Sequence, residues 1–164
     1  MGNKRIPFEA GKVYHVYTHG NAYDNIFRQV KNSYRFPEKY NLYISPFAHT
    51  FAYCLMSNHF HFLITIKQKR LLMVFFRLKY PRKSVQEIEA KISQLISRQF
   101  GNLLNTYAKY CNTKYSRKGS LFSDNIERKL IDSSGYFIKA VNYMHFNPVL
   151  NEIERYDLEL EMTF

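Results

Sequence analysis

Two apolar runs, residues 47–56 and 59–67, are separated only by Ser57-Asn58. So short a link makes them neighbouring antiparallel strands. The second run opens with His59-Phe-His-Phe-Leu-Ile64. Strand side chains alternate between faces, so Phe60, Phe62 and Ile64 turn into a core while His59 and His61 share the opposite face. Two imidazoles placed this way can converge on one ion, and imidazole is a common metal ligand.

The rest of the pattern builds around this hairpin. Residues 12–19, Lys-Val-Tyr-His-Val-Tyr-Thr-His, are rich in β-branched and aromatic types and read as a first strand ended by Gly20-Asn21. Asp24 or Asn25 can cap a helix whose apolar positions Phe27, Val30 and Tyr34 are spaced by three and four, and Pro37 is expected to interrupt or restart it. Residues 67–83 are strongly basic and include Pro81, which suggests an exposed connection with a short helix around residues 71–78. Ser84 and Glu87 have capping-box spacing, and Ile88, Ile92, Leu95, Ile96, Leu103 and Tyr107 continue one long helical period. A polar, basic loop over 112–119 leads to the last strand within 120–131, and a final helix starts near Ser133 or Ser134 and stops at Pro148. This order predicts an α+β, ferredoxin-like sandwich with a central antiparallel sheet, helices on one side and an added C-terminal helix.

At 164 residues the chain is the size of one domain, expected over residues 1–150, with a short acidic C-terminal tail over 151–164. No run approaches the roughly 20 apolar residues that span a bilayer, and Met-Gly-Asn-Lys-Arg lacks the apolar stretch of a secretion signal. A cytoplasmic protein without a membrane partner is expected. Two cysteines, Cys54 and Cys111, are too few for a disulfide framework or a Cys-rich zinc site and read as packing residues. The net charge is +11, and residues 1–150 alone carry 23 basic against 8 acidic side chains. Such an excess favours a polyanionic partner. Basic and aromatic residues interleave in Tyr107-Ala-Lys-Tyr110 and Tyr115-Ser-Arg-Lys118, a pattern suited to single-stranded nucleic acid, whose bases stack on rings while cations track its backbone.

On the final helix Phe137, Ala140, Val141 and Met144 form a core-facing arc. Tyr143 lies off that arc, Asn147 is one turn further on within about 40° of it, and His145 points to the far side. Tyr136 occupies nearly the same stripe as Tyr143, about 10 Å away along the axis, so periodicity alone does not choose between the two hydroxyls. Two imidazoles and the Asn147 amide oxygen suit Mn²⁺ or Mg²⁺ without excluding Zn²⁺, and an ion so held would assist a tyrosine hydroxyl, a weak nucleophile with a pKa near 10, in attacking a phosphodiester. His15 and His19 share a face of the first strand and are open to core, DNA-contacting or supporting roles.

Four strings carry a resemblance: Gly11-Lys-Val-Tyr-His-Val-Tyr17, Ala52-Tyr-Cys-Leu-Met-Ser-Asn-His-Phe-His-Phe-Leu-Ile64, Arg117-Lys-Gly-Ser-Leu-Phe122 and Tyr143-Met-His-Phe-Asn-Pro-Val149. In this order they resemble the motifs of REP-associated tyrosine transposases and their single-tyrosine HUH transposase relatives. The resemblance implies a ferredoxin-like HUH nuclease domain that cuts and rejoins single-stranded DNA near hairpins through a 5′-phosphotyrosine intermediate. It places the nucleophile on Tyr143 and the ligands of a divalent Mg²⁺ or Mn²⁺ on His59, His61 and Asn147. Backbone contacts are expected from Lys67, Lys69, Arg70, Lys79, Arg82 and Lys83 and from Lys109, Lys114, Arg117 and Lys118, with Tyr107, Tyr110, Tyr115 or Tyr136 as stacking rings. Rejoining needs no nucleotide cofactor, because the covalent link conserves the energy of the broken bond, and a homodimer is compatible with holding two DNA ends. Ser57 stands where such proteins usually carry proline, and the acidic tail replaces a basic, aromatic segment. The rival expectations are a domesticated, non-catalytic binder of hairpin DNA or RNA and a metal-dependent hydrolase in which water attacks.

Overall fold

The computed structural model describes residues 6–150. Its elements are β1 (Val13–His19), α1 (Val30–Tyr43), β2 (Ala48–Met56), β3 (His59–Ile66), α2 (Lys69–Lys79), α3 (Val85–Ala90), α4 (Ile92–Lys114), β4 (Glu127–Ile131) and α5 (Ser134–Leu150). The four strands form one sheet in the order β2-β3-β1-β4 with every neighbouring pair antiparallel. β1 and β2 therefore run parallel with β3 inserted between them, and β3 and β4 enclose β1 likewise. This is the ferredoxin-like βαββαβ topology expected from the sequence.

The sheet's two faces bury different amounts of apolar surface. One face presents Tyr14, Val16, Phe60, Phe62 and Ile64 to Phe36 and Tyr40 of α1, Leu72 and Phe76 of α2, and Phe100, Leu103 and Tyr107 of α4. Ring stacking within it is close: Tyr40 lies on Phe62 with centroids 4.3 Å apart and planes 11° apart. Among the described residues the other face is covered by α5, through a small cluster of Ala52, Cys54, Met56, Leu63, Ile131, Ala140 and Met144, with Phe137 and Val141 packed against it. That arc matches the periodicity of the last helix. The remainder of this face is polar and carries the histidines.

Several local elements differ from the sequence reading. α1 begins after Gln29, which forms a reciprocal capping pair with Asn32, rather than at Asp24, whose carboxylate is taken by Arg28 and Arg117. Pro37 lies inside α1 without ending it. Its missing N–H removes one helical hydrogen bond, while Phe36 and Tyr40 on either side are fully buried and hold the turn in place. The short helix expected around residues 71–78 is present and slightly longer, as α2 over Lys69–Lys79, anchored by buried Leu72 and Phe76 and ending before Pro81. The Ser84–Glu87 capping box is present, but the long helix divides at Lys91, whose N–H closes a tight turn onto the Ile88 carbonyl. α5 continues through Pro148 to Leu150.

The turn beside the hairpin is fixed by close backbone approach. The Gly20 N–H donates to the Asn58 carbonyl at 2.6 Å, Gly20 bridges Phe122, and a Cβ at this position would overlap the Asp24 carbonyl oxygen. Glycine is required there for space. The loop carrying Arg117 is thereby drawn to the same end of the sheet as His19 and His59.

Candidate active site

Register across the sheet assembles the site. On the face that α5 partly covers, Tyr17 of β1 sits opposite His61 of β3 and His19 opposite His59, while on the other side of β1 Glu127 pairs with Tyr17 and Lys129 with His15. Alternation puts all of these side chains on one face. α5 runs back across it from β4, bringing Tyr143 down beside the histidines.

His61 is the hub. Its ring centroid lies 5.0 Å from His15, 5.1 Å from His59, 5.6 Å from Tyr17 and 5.3 Å from Tyr143. Only 6% of the residue is exposed. Its Nδ1 is 2.9 Å from Nε2 of His15, whereas its Nε2 is buried with no hydrogen-bond partner among the described residues. His59 has the same arrangement, since its Nδ1 is 2.7 Å from Oδ1 of Asn58, which accepts the ring proton. Each Nδ1 is thus held by a hydrogen bond, and the Nε2 of His61 is left without a partner among the described residues, a pattern found in histidines that bind a metal through Nε2. The 5.1 Å ring separation suits two ligands of one ion at metal–nitrogen distances of about 2.1 Å.

Burial keeps these imidazoles neutral. It is the largest cause lowering His61 to about 3, followed by the neighbouring histidines. Burial first and the Lys129 charge second lower His15 to about 4, and burial followed by His19 lowers His59. A neutral imidazole is the form that binds metal. The same shifts imply acid sensitivity. Between pH 6.5 and about 4 the unfolded chain binds more protons at His15 and His61 than the folded one, so stability is fully present above 6.5 and is lost as pH falls, by up to about 1.4 kcal/mol per pH unit for each of these two. Urea midpoints measured between pH 7.5 and 4.5 are expected to decline across that window. A flat profile would show that the imidazoles protonate freely in the folded state.

Of the tyrosines, Tyr143 combines contact with freedom. It is 46% exposed, its ring lies 6.4 Å from His15 as well as against His61, and its hydroxyl makes no hydrogen bond to a described residue. Tyr17 is as near to His61, but its hydroxyl donates to Glu127 at 3.2 Å, and burial with that carboxylate raises its pKa. Tyr136 packs against the small apolar cluster. Tyr136 is half-buried, and its hydroxyl contributes to the raised pKa of Tyr17, so the two α5 tyrosines differ in exposure and in their ring contacts with the histidines.

No protein-family model and no curated protein matches the chain. Among solved structures it is similar to a REP-associated tyrosine transposase bound to a REP hairpin. The TM-score is 0.61 at 10% sequence identity, over 93% of this chain and 75% of that one. At that identity the likeness concerns the fold, an α+β transposase-like architecture that includes the C-terminal helix.

The remaining sequence-derived residues divide by location. His59 and Ile66 bound β3, whose seven steps place its ends about 23 Å apart, and the basic group over 67–83 belongs to the Ile66 end. There Lys67 donates to the Ser45 and Pro46 carbonyls and Lys69 pairs with Glu89, so neither is a free cation, while Arg70, Lys79 and Arg82 are exposed and Lys83 is half-buried. The group over 109–118 belongs to the His59 end. Lys109, Lys114 and Lys118 are exposed, but Arg117 is committed to Asp24 and Asn112. Tyr107 is wholly buried, its hydroxyl donating to the Ile26 carbonyl, which removes it as a stacking ring. Tyr110 and Tyr115 remain half-buried, each with the Lys114 ammonium over its ring. Asn147 lies within α5, and its side chain is outside the described residues, as is the tail over 151–164.

Among the described residues no three His, Cys, Asp or Glu side chains form a metal-binding group. Nor is any described helix long and apolar enough to cross a membrane. Glu127, Lys129 and Tyr17 were absent from the sequence-derived site. Their signal was alternation on strands flanking the His pair, readable only once the strand order is known.

Proposed function

We propose that the protein is a metal-assisted tyrosine nuclease and strand transferase acting on single-stranded DNA beside hairpins. The observation that carries this reading is Tyr143, exposed and unbonded, against a buried histidine whose Nε2 has no partner. The likeness to a transposase bound to a hairpin supports the same class at the level of fold.

His59 and His61 would hold a divalent ion, with Asn147 as the expected third ligand. Such an ion withdraws charge from a phosphodiester. The chain's own residues do the rest. Tyr143 attacks phosphorus, its oxygen forms the new ester to the 5′ phosphate, and the 3′ oxygen of the neighbouring nucleotide leaves and takes a proton. Attack by that 3′ hydroxyl on the phosphotyrosine reverses the step and releases the tyrosine. Lys129 adds positive charge to the same face.

The test is incubation of the protein with end-labelled hairpin-bearing single strands from the flanks of its own gene, in Mn²⁺ or EDTA, followed by denaturing electrophoresis. A metal-dependent species retaining protein on DNA is expected. Binding without any adduct would leave a hairpin-binding protein, and cleavage without retained protein would indicate attack by water.

The two basic groups make a further prediction. If the strand enters at the His59 end, Lys114→Gln with Lys118→Gln reduces the slope of log affinity against log salt by about 1.4, since each single-strand phosphate neutralised contributes about 0.7. Arg70→Gln with Lys79→Gln is expected to change it less. Equal effects would mean that DNA tracks both ends of the sheet.

A further inference from the structure

We propose that His15 is a positioning residue that sets the tautomer of His61. The inference deepens the metal-assisted reading and rests on it. The 2.9 Å contact between Nε2 of His15 and Nδ1 of His61 holds one proton, and its direction decides what the buried Nε2 of His61 presents to the site. If His15 donates, His61 must carry its own proton on Nε2, where it would be a buried N–H with no acceptor among the described residues. Orphaned buried N–H groups are rarer than unsatisfied acceptors. If His61 donates instead, its Nε2 keeps a lone pair and faces the site as a ligand. His15 then carries its proton on Nδ1, which is not among the buried unpartnered atoms.

The strand geometry is specific to this pairing. His15 lies diagonal to His61, since its register partner on β3 is Leu63, and the two rings are tilted 39° with centroids 5.0 Å apart. His59 donates the equivalent fixing bond to Oδ1 of Asn58 on its own hairpin turn. Because β1 supplies the partner for His61, the metal-binding form of the His pair depends on a residue outside the hairpin that carries it. A histidine partner is also a neutral acceptor, so it orients the ligand without adding negative charge beside an incoming phosphate.

The first measurement is a long-range proton–nitrogen spectrum of the metal-free, ¹⁵N-labelled protein near pH 7.5, which reports which nitrogen of each histidine is protonated. His61 is expected to be protonated on Nδ1 and His15 on Nδ1. Protonation of His61 on Nε2 would overturn the proposal. The second is Mn²⁺ affinity by calorimetry for His15→Phe, which fills the same space without an acceptor, and for His15→Gln, which restores one. His15→Phe is expected to weaken binding by about 10- to 100-fold, the usual effect of losing a ligand's hydrogen-bond partner, and His15→Gln to recover most of it. Unchanged affinity in a folded His15→Phe protein would also overturn it. Should the unmodified protein bind no Mn²⁺, the metal reading fails, while the spectrum still decides the direction of the His15–His61 bond.

Discussion

Tyr143→Phe is expected to abolish the covalent protein–DNA adduct, lowering its rate by at least about 10³-fold, because Tyr143 is the exposed tyrosine whose ring lies against His61 and whose hydroxyl makes no hydrogen bond to a described residue. The change removes one oxygen and leaves the ring that packs against His61 and His15. Tyr143 is half-exposed, so folding stability should move by less than about 0.5 kcal/mol. Affinity for single-stranded DNA should remain within about twofold, since the exposed lysines at this end of the sheet are untouched. Tyr17→Phe is the informative companion. It removes the hydroxyl of a ring about as near to His61 but one already donated to Glu127, and the adduct should survive. An adduct that persists in Tyr143→Phe and vanishes in Tyr17→Phe would move the nucleophile from α5 to β1. Loss of DNA binding in Tyr143→Phe would show that the hydroxyl contacts DNA rather than attacks it.

The hairpin and its paired histidines were legible because alternation with a two-residue turn leaves one register and one facing. The arc on α5 was legible for the same reason at helical period. The histidine cluster as a whole was not. His15 meets His61 only because β1 pairs with β3 in one register, and pairing between strands separated by α1 and β2 leaves no local trace in sequence. Composition likewise gave the cations of 67–83 and 109–118 the same expected role, whereas β3 holds the two groups at opposite ends. Tyr107 shows the limit of reading interleaved aromatics and lysines: its helical position faces Phe36 and Phe27, and the neighbouring Lys109 is exposed only because it lies on the other side of α4. Pro37 misled in the opposite sense. Tertiary burial of the residues around it outweighs the one hydrogen bond that it removes.

His59 and His61 should fail differently when removed, and the difference separates chemistry from packing. His59 is half-buried and held mainly by Asn58, so His59→Ala should change stability by about 1 kcal/mol or less. Its effect on the adduct should be about 10²- to 10⁴-fold, the kinetic equivalent of losing several kcal/mol of charge stabilisation. His61 contacts four other rings and is almost fully buried. His61→Ala should therefore both stop adduct formation and lower stability by about 2–4 kcal/mol, because it opens a cavity between β1, β3 and α5. Denaturant midpoints read the packing, adduct yield in saturating Mn²⁺ reads the chemistry, and single-strand affinity in EDTA reads neither. Excess Mn²⁺ should partly restore a variant that retains one of the two imidazoles. If His59→Ala forms adduct at the unmodified rate, no ion is held by this pair, and the partnerless Nε2 of His61 must be explained by the substrate itself.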